Sequence, residues 1–200
     1  MTPAVHPLRR VCVFCGSNRG GNPAYAAAAE ALGRDLVRRG IGLVYGGGNV
    51  GLMGVLAGSV LQAGGHVIGV IPEALMAREL GHRGIQDLRV VGTMHERKAL
   101  MAELADGFIA LPGGIGTFEE FFEILTWAQL GLHSKPCALL NVAGFFDPLL
   151  RLFEHAIQEQ FVPDKHRSLA VVRAEIRPLL DAMTQQHLPR EPKWIEPENV

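Results

Sequence analysis

The chain has 200 residues, of which 48% are hydrophobic and 20% charged, an ordinary composition for one globular domain. Its formal net charge of -1 and its lack of any apolar run near ~18 residues predict neither a nucleic-acid partner nor a membrane span. Residues 1–10 lack the apolar segment of a secretory signal, which predicts a cytoplasmic protein.

Apolar runs typical of strands alternate with helical patterns along the chain. The predicted strands are 11–15, 41–45, 66–71, 88–91, 107–111, 135–140 and 169–172, and helices ending near 39, 63, 105, 130, 160 and 186 separate or follow them. Residues 72–84 are less regular and indicate a short helix with a loop. The strands are continuously apolar, as expected where helices cover both faces of a sheet. This pattern predicts an α/β fold with a doubly wound, mostly parallel sheet. We expect one domain over 1–187 and a mobile tail over 188–200.

The cysteines and histidines give no sign of a metal site or a disulfide. Cys12 and Cys15 are three apart in a predicted strand, so their side chains should point to opposite faces of the sheet. We interpret both as buried free thiols. The eight histidines show no spacing typical of metal ligands, and we expect neither a metal nor another cofactor.

Three glycine-rich loops, which begin at residues 16, 46 and 112, each follow a predicted strand. Since ligands of doubly wound sheets bind beyond the carboxyl ends of strands, these loops can converge on one crevice. The loop at 112–117 also opens a helix, whose backbone N–H groups and positive dipole end suit an anion. Glu119 and Glu120 lie in the first turn of this helix, and together these features predict a phosphate site beside a carboxylate.

The helix after this loop has an apolar stripe that should face the sheet. At helical spacing, the stripe consists of Phe118, Phe121, Phe122 and Leu125. Glu120 lies nearly opposite, with Ile124 and Trp127 beside it, so a second face is partly apolar. We predict that this second face meets another subunit and that Glu120 borders a shared pocket. Glu119 can equally be a residue that only favours the helix dipole.

Arg97 lies on the inward stripe of the predicted helix 94–105, between Met94 and Met101. An arginine placed there needs a partner, and with the adjacent Lys98 it could neutralise a phosphate or bind a carboxylate. The alternative is an arginine whose stem packs inside while its head reaches solvent.

A dinucleotide fingerprint supports a rival hypothesis. Gly46-x-Gly48-x-x-Gly51 follows a strand and opens a helix, and Glu73 lies roughly 20 residues further on, as in NAD-binding domains. However, the fingerprint follows the second strand rather than the first, and it leaves the loop at 112–117 unexplained.

Two runs stand out as motifs, Pro-Gly-Gly-Ile-Gly-Thr-Phe-Glu-Glu at 112–120 and Met-His-Glu-Arg-Lys at 94–98. The first matches the signature, and the second resembles a further motif, of the "lonely guy" family of cytokinin riboside 5'-monophosphate phosphoribohydrolases, which were long described as lysine decarboxylases. Further blocks in family order are 15–17, 45–48, 51–54, 67–72 and 126–131, so the resemblance covers about 11–162.

The resemblance implies a Rossmann-like fold, a homodimer with a shared active site and no cofactor. It implies hydrolysis of the N-glycosidic bond of adenosine 5'-monophosphate or its N6-modified (cytokinin) derivatives to the free base and ribose 5-phosphate. By position in the motifs, Arg97 and Glu120 are the catalytic pair. The implied substrate-binding residues are Glu79, Arg97, Lys98, Gly114, Ile115, Gly116, Thr117, Phe118, Glu119, Glu120 and Thr126, and the further pocket residues are Ser17, Gly47 and Met53.

Two points stay open at the level of sequence. Ala77 stands where a proline is common in the family, two residues before Glu79, and this departure could loosen the loop that carries Glu79. A non-catalytic nucleotide or cofactor carrier, of the kind found among molybdenum-cofactor carriers, is the alternative function. A lysine decarboxylase is disfavoured because no lysine lies in a recognisable pyridoxal phosphate context.

Overall fold

A computed structural model describes residues 7–76 and 84–186 of the chain, and a parallel sheet forms its centre. The strands are β1 (Arg10–Phe14), β2 (Gly42–Tyr45), β3 (Val67–Pro72), β4 (Asp87–Val91), β5 (Gly107–Ala110), β6 (Cys137–Leu140) and β7 (Ala170–Arg173). The helices are α1 (Pro23–Arg38), α2 (Gly51–Gln62), α3 (Glu73–Met76), α4 (Met94–Leu104), α5 (Ile115–Gln129), α6 (Asp147–Gln158) and α7 (Ile176–Gln185). Two short 3-10 helices, Val142–Gly144 and Asp164–Leu169, flank α6.

The strand order β4-β3-β2-β1-β5-β6-β7 places a topological switch point between β1 and β5. The chain runs outward from β1 to β4 and then returns to form β5 on the other side of β1, where Phe14 is in register with Ala110. The loops after these two strands therefore meet, and the Gly16 amide donates a hydrogen bond of 3.1 Å to the carbonyl of Pro112. A crevice at such a point is the usual ligand site of doubly wound folds.

The two faces of the sheet carry separate hydrophobic cores. Side chains of α1, α2 and α7, such as Leu32, Leu56 and Leu180, pack on one face. Side chains of α4 and α5, such as Met101 and Phe121, pack on the other face, where α6 also lies. This arrangement confirms the predicted doubly wound α/β class, and each strand pairing in the described residues is parallel.

The cysteine prediction is also confirmed. Cys12, Cys15 and Cys137 are buried free thiols, and Cys12 and Cys15 belong to the cores on opposite faces of the sheet. Among the described residues, no helix has the length and hydropathy needed to cross a bilayer. The tail predicted at 188–200 lies outside the described residues.

The predicted orientation of α5 was wrong in part. The inward arc of α5 is Thr117, Phe121, Ile124, Leu125 and Ala128, so Ile124 lies in the core and cannot meet another subunit. Trp127 is half-buried and packs against the same core. The prediction failed because it counted only large side chains, whereas the small Thr117 and Ala128 complete the arc and rotate its centre toward Ile124.

Candidate active site

A cleft of about 320 Å³ opens at the carboxyl edge of the sheet, beside the switch point. It is lined by the loop after β1, by one side chain each of α2 and α3, by two of α4, and by the first turns of α5. The lining residues are Cys15, Gly16, Ser17, Met53, Leu75, Met94, Arg97, Gly114, Ile115, Gly116, Thr117, Glu119 and Glu120. The fold thus gathers most of the site residues expected from sequence into one cavity.

The N-terminus of α5 forms one wall of this cleft and leaves room for an anion. Gly114 is the N-cap residue of α5. It has no side chain that could accept a hydrogen bond from the first amides of the helix, so these amides are left without a side-chain cap. A Cβ on Gly114 or Gly116 would meet no atom within 4 Å, whereas one on Gly113 would lie 2.1 Å from Thr117 Oγ1. Packing therefore requires glycine at 113, and the space beside 114 and 116 stays open for a ligand.

Arg97 is held inside the cleft by α4. Thr93 caps this helix and accepts a hydrogen bond from the Glu96 amide, while the Glu96 carboxylate accepts one from the amide of Gly92, the residue before the cap. The Arg97 residue is only 7% exposed, and its Nη2 donates to the Gly46 carbonyl at 3.2 Å. Its guanidinium head therefore lies inside the protein against the cleft, and the alternative in which the head extends to the outer surface is not observed.

Glu120 faces Arg97 across the cleft, with Oε1 at 3.8 Å from Nη2. Burial raises the pKa of the Glu120 carboxyl from 4.5 to about 7; Arg97 and Lys98 oppose this rise, and Glu119 and Glu123 add to it. The Glu120 side chain is 13% exposed. A carboxyl group with a pKa near neutrality can both accept and release a proton at physiological pH, as general acid–base chemistry requires.

Lys98 does not line the cleft as the sequence suggested. Its Nζ lies 2.5 Å from Glu119 Oε1 and 3.1 Å from Glu123 Oε1. Burial lowers the pKa of Lys98, but the hydrogen bonds to Glu119 and Glu123 outweigh this and leave the pKa raised. Lys98 is thus charged and already paired, so in this state it is not free to neutralise a phosphate.

Besides Lys98, three further predicted site residues do not line the cleft. Phe118 stacks on Phe145 at a centroid distance of 6.3 Å. Thr126 is exposed and donates a hydrogen bond to a carbonyl of its own helix. Gly47, with a φ of 76°, is packed against β3 and the side chain of Leu88. Glu79 lies outside the described residues, as does Ala77.

Two contributors were missed by reasoning from sequence. The carbonyl of Gly46 holds Arg97, and only the closeness of β2 and α4 in the fold reveals this contact. Glu123 pairs with Lys98, and its spacing from Glu119, four residues along one helix, is a signal that could have identified it.

The rival dinucleotide hypothesis is disfavoured by the same contact. A Cβ on Gly46 would lie 2.0 Å from Arg97 Nη2, so the guanidinium occupies the space above the first glycine of the fingerprint. The first glycine of such a fingerprint allows the tight turn that carries the pyrophosphate, and here an arginine side chain fills the space beside that turn. In the part of the chain that the structure describes, no cluster of three or more histidine, cysteine or acidic side chains is placed to hold a metal ion.

Comparisons with known proteins were consistent with these features. A sequence model of the family described as possible lysine decarboxylase matches residues 53–183. The chain is 52% identical over 173 residues to the Oryza sativa subsp. japonica protein named cytokinin riboside 5'-monophosphate phosphoribohydrolase LOG, over 86% of this chain and 72% of that protein. It is 48% identical over 188 residues to the Arabidopsis thaliana protein named cytokinin riboside 5'-monophosphate phosphoribohydrolase LOG2, over 94% of this chain and 88% of that protein.

Solved structures share the Rossmann-like fold at lower sequence identity. The molybdenum cofactor carrier protein of Chlamydomonas reinhardtii superimposes with a TM-score of 0.67 at 21% identity, covering 90% of this chain and 98% of that one. The molybdenum cofactor binding protein of Rippkaea orientalis superimposes with a TM-score of 0.67 at 22% identity, covering 88% of this chain and 95% of that one. At such identities the likeness establishes the fold alone.

Proposed function

The chain belongs to the lonely guy family, and we propose that it hydrolyses the N-glycosidic bond of adenosine 5'-monophosphate and its N6-modified derivatives. The products are the free base, adenine or a cytokinin, and ribose 5-phosphate. Relatives about half identical to this chain are named for this hydrolysis, so the enzyme class is that of a phosphoribohydrolase.

The observation that carries the proposal is the position of Glu120. This carboxyl group is buried beside the open N-terminus of α5 and faces the guanidinium of Arg97. A 5'-phosphate bound by the amides of Gly114–Thr117 would hold the ribose within the cleft. The apolar side chains on the rim, Met53, Leu75, Met94 and Ile115, would suit a purine and its N6 substituent.

Each reacting group then has a role. As the bond between C1' and the base nitrogen breaks, its electron pair leaves with the base and positive charge develops at the ribose. The ionised Glu120 stabilises that charge and takes a proton from the attacking water, whose oxygen bonds to C1'. Arg97 orients Glu120 and the sugar, or relieves the negative charge on the departing base, which gains a proton on release. Glu79, which lies outside the described residues, belongs to the proposed substrate site through the family motif alone.

Release of free base from a panel of nucleotides tests the proposal. We expect the wild-type protein to release base from adenosine and isopentenyladenosine 5'-monophosphates, measured by liquid chromatography. Glu120→Gln and Arg97→Ala should each lose about 100-fold or more in kcat/KM, the usual size of a lost acid–base or charge-stabilising group. Glu30→Gln, which alters an exposed ion pair on α1, is the control and should stay active.

Two outcomes would contradict the proposal. Full activity in both site variants would overturn the catalytic assignment. Tight nucleotide binding by the wild-type protein with no base released over hours would favour the carrier function.

We also propose a homodimer in which each cleft is completed by the partner. The outward arc of α5 carries Ile115, Phe122 and Thr126 and continues to its C-cap residue Leu130, and three of these four are exposed. An apolar arc of this kind is unusual for the free surface of a monomer. Thr126, a family substrate position outside this chain's own cleft, lies in the middle of the arc and could reach the cleft of a second copy.

A further inference from the structure

Behind Glu120 lies a group of charged side chains that the proposed reaction does not use directly. Lys98 on α4 is 10% exposed and meets two carboxylates of α5, Glu119 at 2.5 Å and Glu123 at 3.1 Å. Glu119 lines the cleft and is 51% exposed, whereas Glu123 does not line the cleft and is 26% exposed. Lys98 thus has one outer and one inner partner.

Glu123 also carries an unpaired buried oxygen. Its Oε1 takes the ion pair with Lys98, and its Oε2 is buried with no hydrogen-bond partner among the described residues. Leaving a buried carboxylate oxygen unsatisfied is unfavourable, so the local fold tolerates this group at a cost. A residue needed only to begin or cap a helix would not require this placement, since Glu123 lies in the middle of α5.

Glu120 is one helical turn before Glu123 and faces charged groups from two helices, Arg97 and Lys98 from α4 and Glu119 and Glu123 from α5. The thiols of Cys12, in β1, and of Cys15, just after it, are also near, but burial raises their pKa and keeps them neutral. Two cations therefore oppose three carboxylates when Glu120 is ionised. Any shift of Lys98 toward Glu120 would stabilise the Glu120 carboxylate and weaken it as a base.

We propose that Glu123 is a positioning residue for the hydrolysis, which anchors the Lys98 ammonium away from Glu120 so that Glu120 stays able to accept a proton from water. This inference rests on the proposed function for its catalytic meaning. Its geometric basis is independent: two ion pairs on Lys98, the inner one formed by a carboxylate that does not line the cleft.

The variant Glu123→Gln tests this role because it keeps the size of the side chain and removes its charge. Lys98 then loses its inner anchor, and the repulsion between the two carboxylates disappears, so both changes favour the ionised form of Glu120. We expect the acidic limb of the pH profile of kcat/KM to move by about half a pH unit to one pH unit toward lower pH, the size typical of one partly solvated charge. Lys98→Gln should move it toward higher pH, and Glu30→Gln should leave it in place.

A double variant separates the anchor from a simple charge effect. If Glu123 acts through Lys98, the shift caused by Glu123→Gln should fall by half or more in the Lys98→Gln background. An equal shift in both backgrounds, or none in either, would overturn the proposal. Glu123→Asp, which keeps the charge, should restore most of the wild-type profile and is the second variant if Glu123→Gln does not fold.

Direct titration of Glu120 by ¹³C NMR gives a readout that needs no turnover. The Glu120 carboxyl signal is assigned by its loss in Glu120→Gln. In Glu123→Gln, the midpoint of the titration of this signal should move in the same direction and by the same amount as the acidic limb of the pH profile. If the wild-type protein releases no base but the midpoint moves as expected, the proposed function fails, and what stands is that Glu123 holds the Lys98 ammonium away from Glu120. If base is released but the midpoint does not move, the positioning role fails and the function stands.

Discussion

At the scale of single residues, the burial that equips Glu120 for proton transfer also destabilises the fold. A carboxyl whose pKa rises from 4.5 to about 7 in the folded state binds a proton more tightly there than in the unfolded chain. Its favourable contribution is complete below the unfolded value and disappears as the pH rises through the folded one. Ionisation of Glu120 therefore costs stability between about pH 4.5 and pH 8.

This cost predicts how the difference in stability between Glu120→Gln and the wild type changes with pH. The glutamine stays neutral, so the variant avoids the loss that the wild type suffers as the pH rises. We expect the free energy of unfolding of the variant, relative to the wild type, to increase by about 2–4 kcal/mol from pH 4 to pH 9. Urea unfolding at several pH values measures the difference, and Glu30→Gln, at an exposed site, should show no such trend. If the difference in the free energy of unfolding did not change with pH, the pKa of Glu120 would be the same in the folded and the unfolded protein.

At the scale of helices and strands, much of the fold could be predicted from periodicity, but the rotation of α5 could not. Continuous apolar runs predicted the ends of the strands to within one or two residues. This worked because strands covered on both faces consist mainly of apolar residues. Which side of α5 faces inward depends on the elements that pack against it. That packing places Ile124 in the core, and the sequence pattern of α5 alone does not show it. The Gly46 carbonyl that holds Arg97 was also beyond sequence reasoning, since 51 residues separate the two.

The same limit applies to the cations of the site. The pattern placed Arg97 correctly on the inward side of α4, because one arginine interrupted an apolar stripe. It could not place Lys98, whose ammonium turns to Glu119 and Glu123 on a neighbouring helix. Side chains that pair across elements depend on how those elements pack, and one sequence does not contain that geometry explicitly.

The open N-terminus of α5 leads to a prediction that separates binding from stability. Since a Cβ on Gly116 would meet no atom within 4 Å, Gly116→Ala should fold normally and gain up to about 1 kcal/mol from better helix propensity. The methyl group would, however, occupy space that the proposed 5'-phosphate needs. We expect the Kd for ribose 5-phosphate, measured by calorimetry, to rise about tenfold or more, equivalent to ~1.4 kcal/mol.

Gly58→Ala on α2 is the matched control for this variant. Gly58 is also helical, and a Cβ there meets no atom within 4 Å, but it lies outside the cleft lining. The Gly58→Ala variant should gain similar stability without any loss of affinity for ribose 5-phosphate. Unchanged affinity in Gly116→Ala would show that the phosphate binds elsewhere.

At the scale of the whole molecule, the doubly wound topology explains why one chain is able to assemble most of this site. The switch point sets the loops after β1 and β5 side by side, and α4 and α5 lie on the same face of the sheet. Arg97 and Glu120 therefore meet although they belong to different helices. On the outward side of α5, Ile115, Thr126 and Leu130 are exposed, and the proposed second copy would cover them.

The proposed dimer predicts different effects for two exposed leucines. Leu130→Glu places a charge on the outward arc of α5 and should give a monomer by light scattering at micromolar concentration, because burying an unpaired charge in an interface is strongly unfavourable. Leu152→Glu, on the exposed side of α6, should leave the dimer intact. If Leu152→Glu dissociates the dimer and Leu130→Glu does not, the interface lies on the other helix.

A mixing experiment tests whether the partner completes each cleft. In a homodimer of Glu120→Gln, both sites lack the proposed base, and in a homodimer of Thr126→Arg, both would lack the contribution of the partner. When subunits exchange in a shared-site dimer, each mixed dimer carries both defects in one cleft and neither in the other. Activity should therefore return on mixing two inactive proteins, to about a quarter of the wild-type value if exchange is random, because half of the dimers then hold one intact site out of two. If both proteins exchange subunits but the mixture stays inactive, each cleft works with the residues of a single chain.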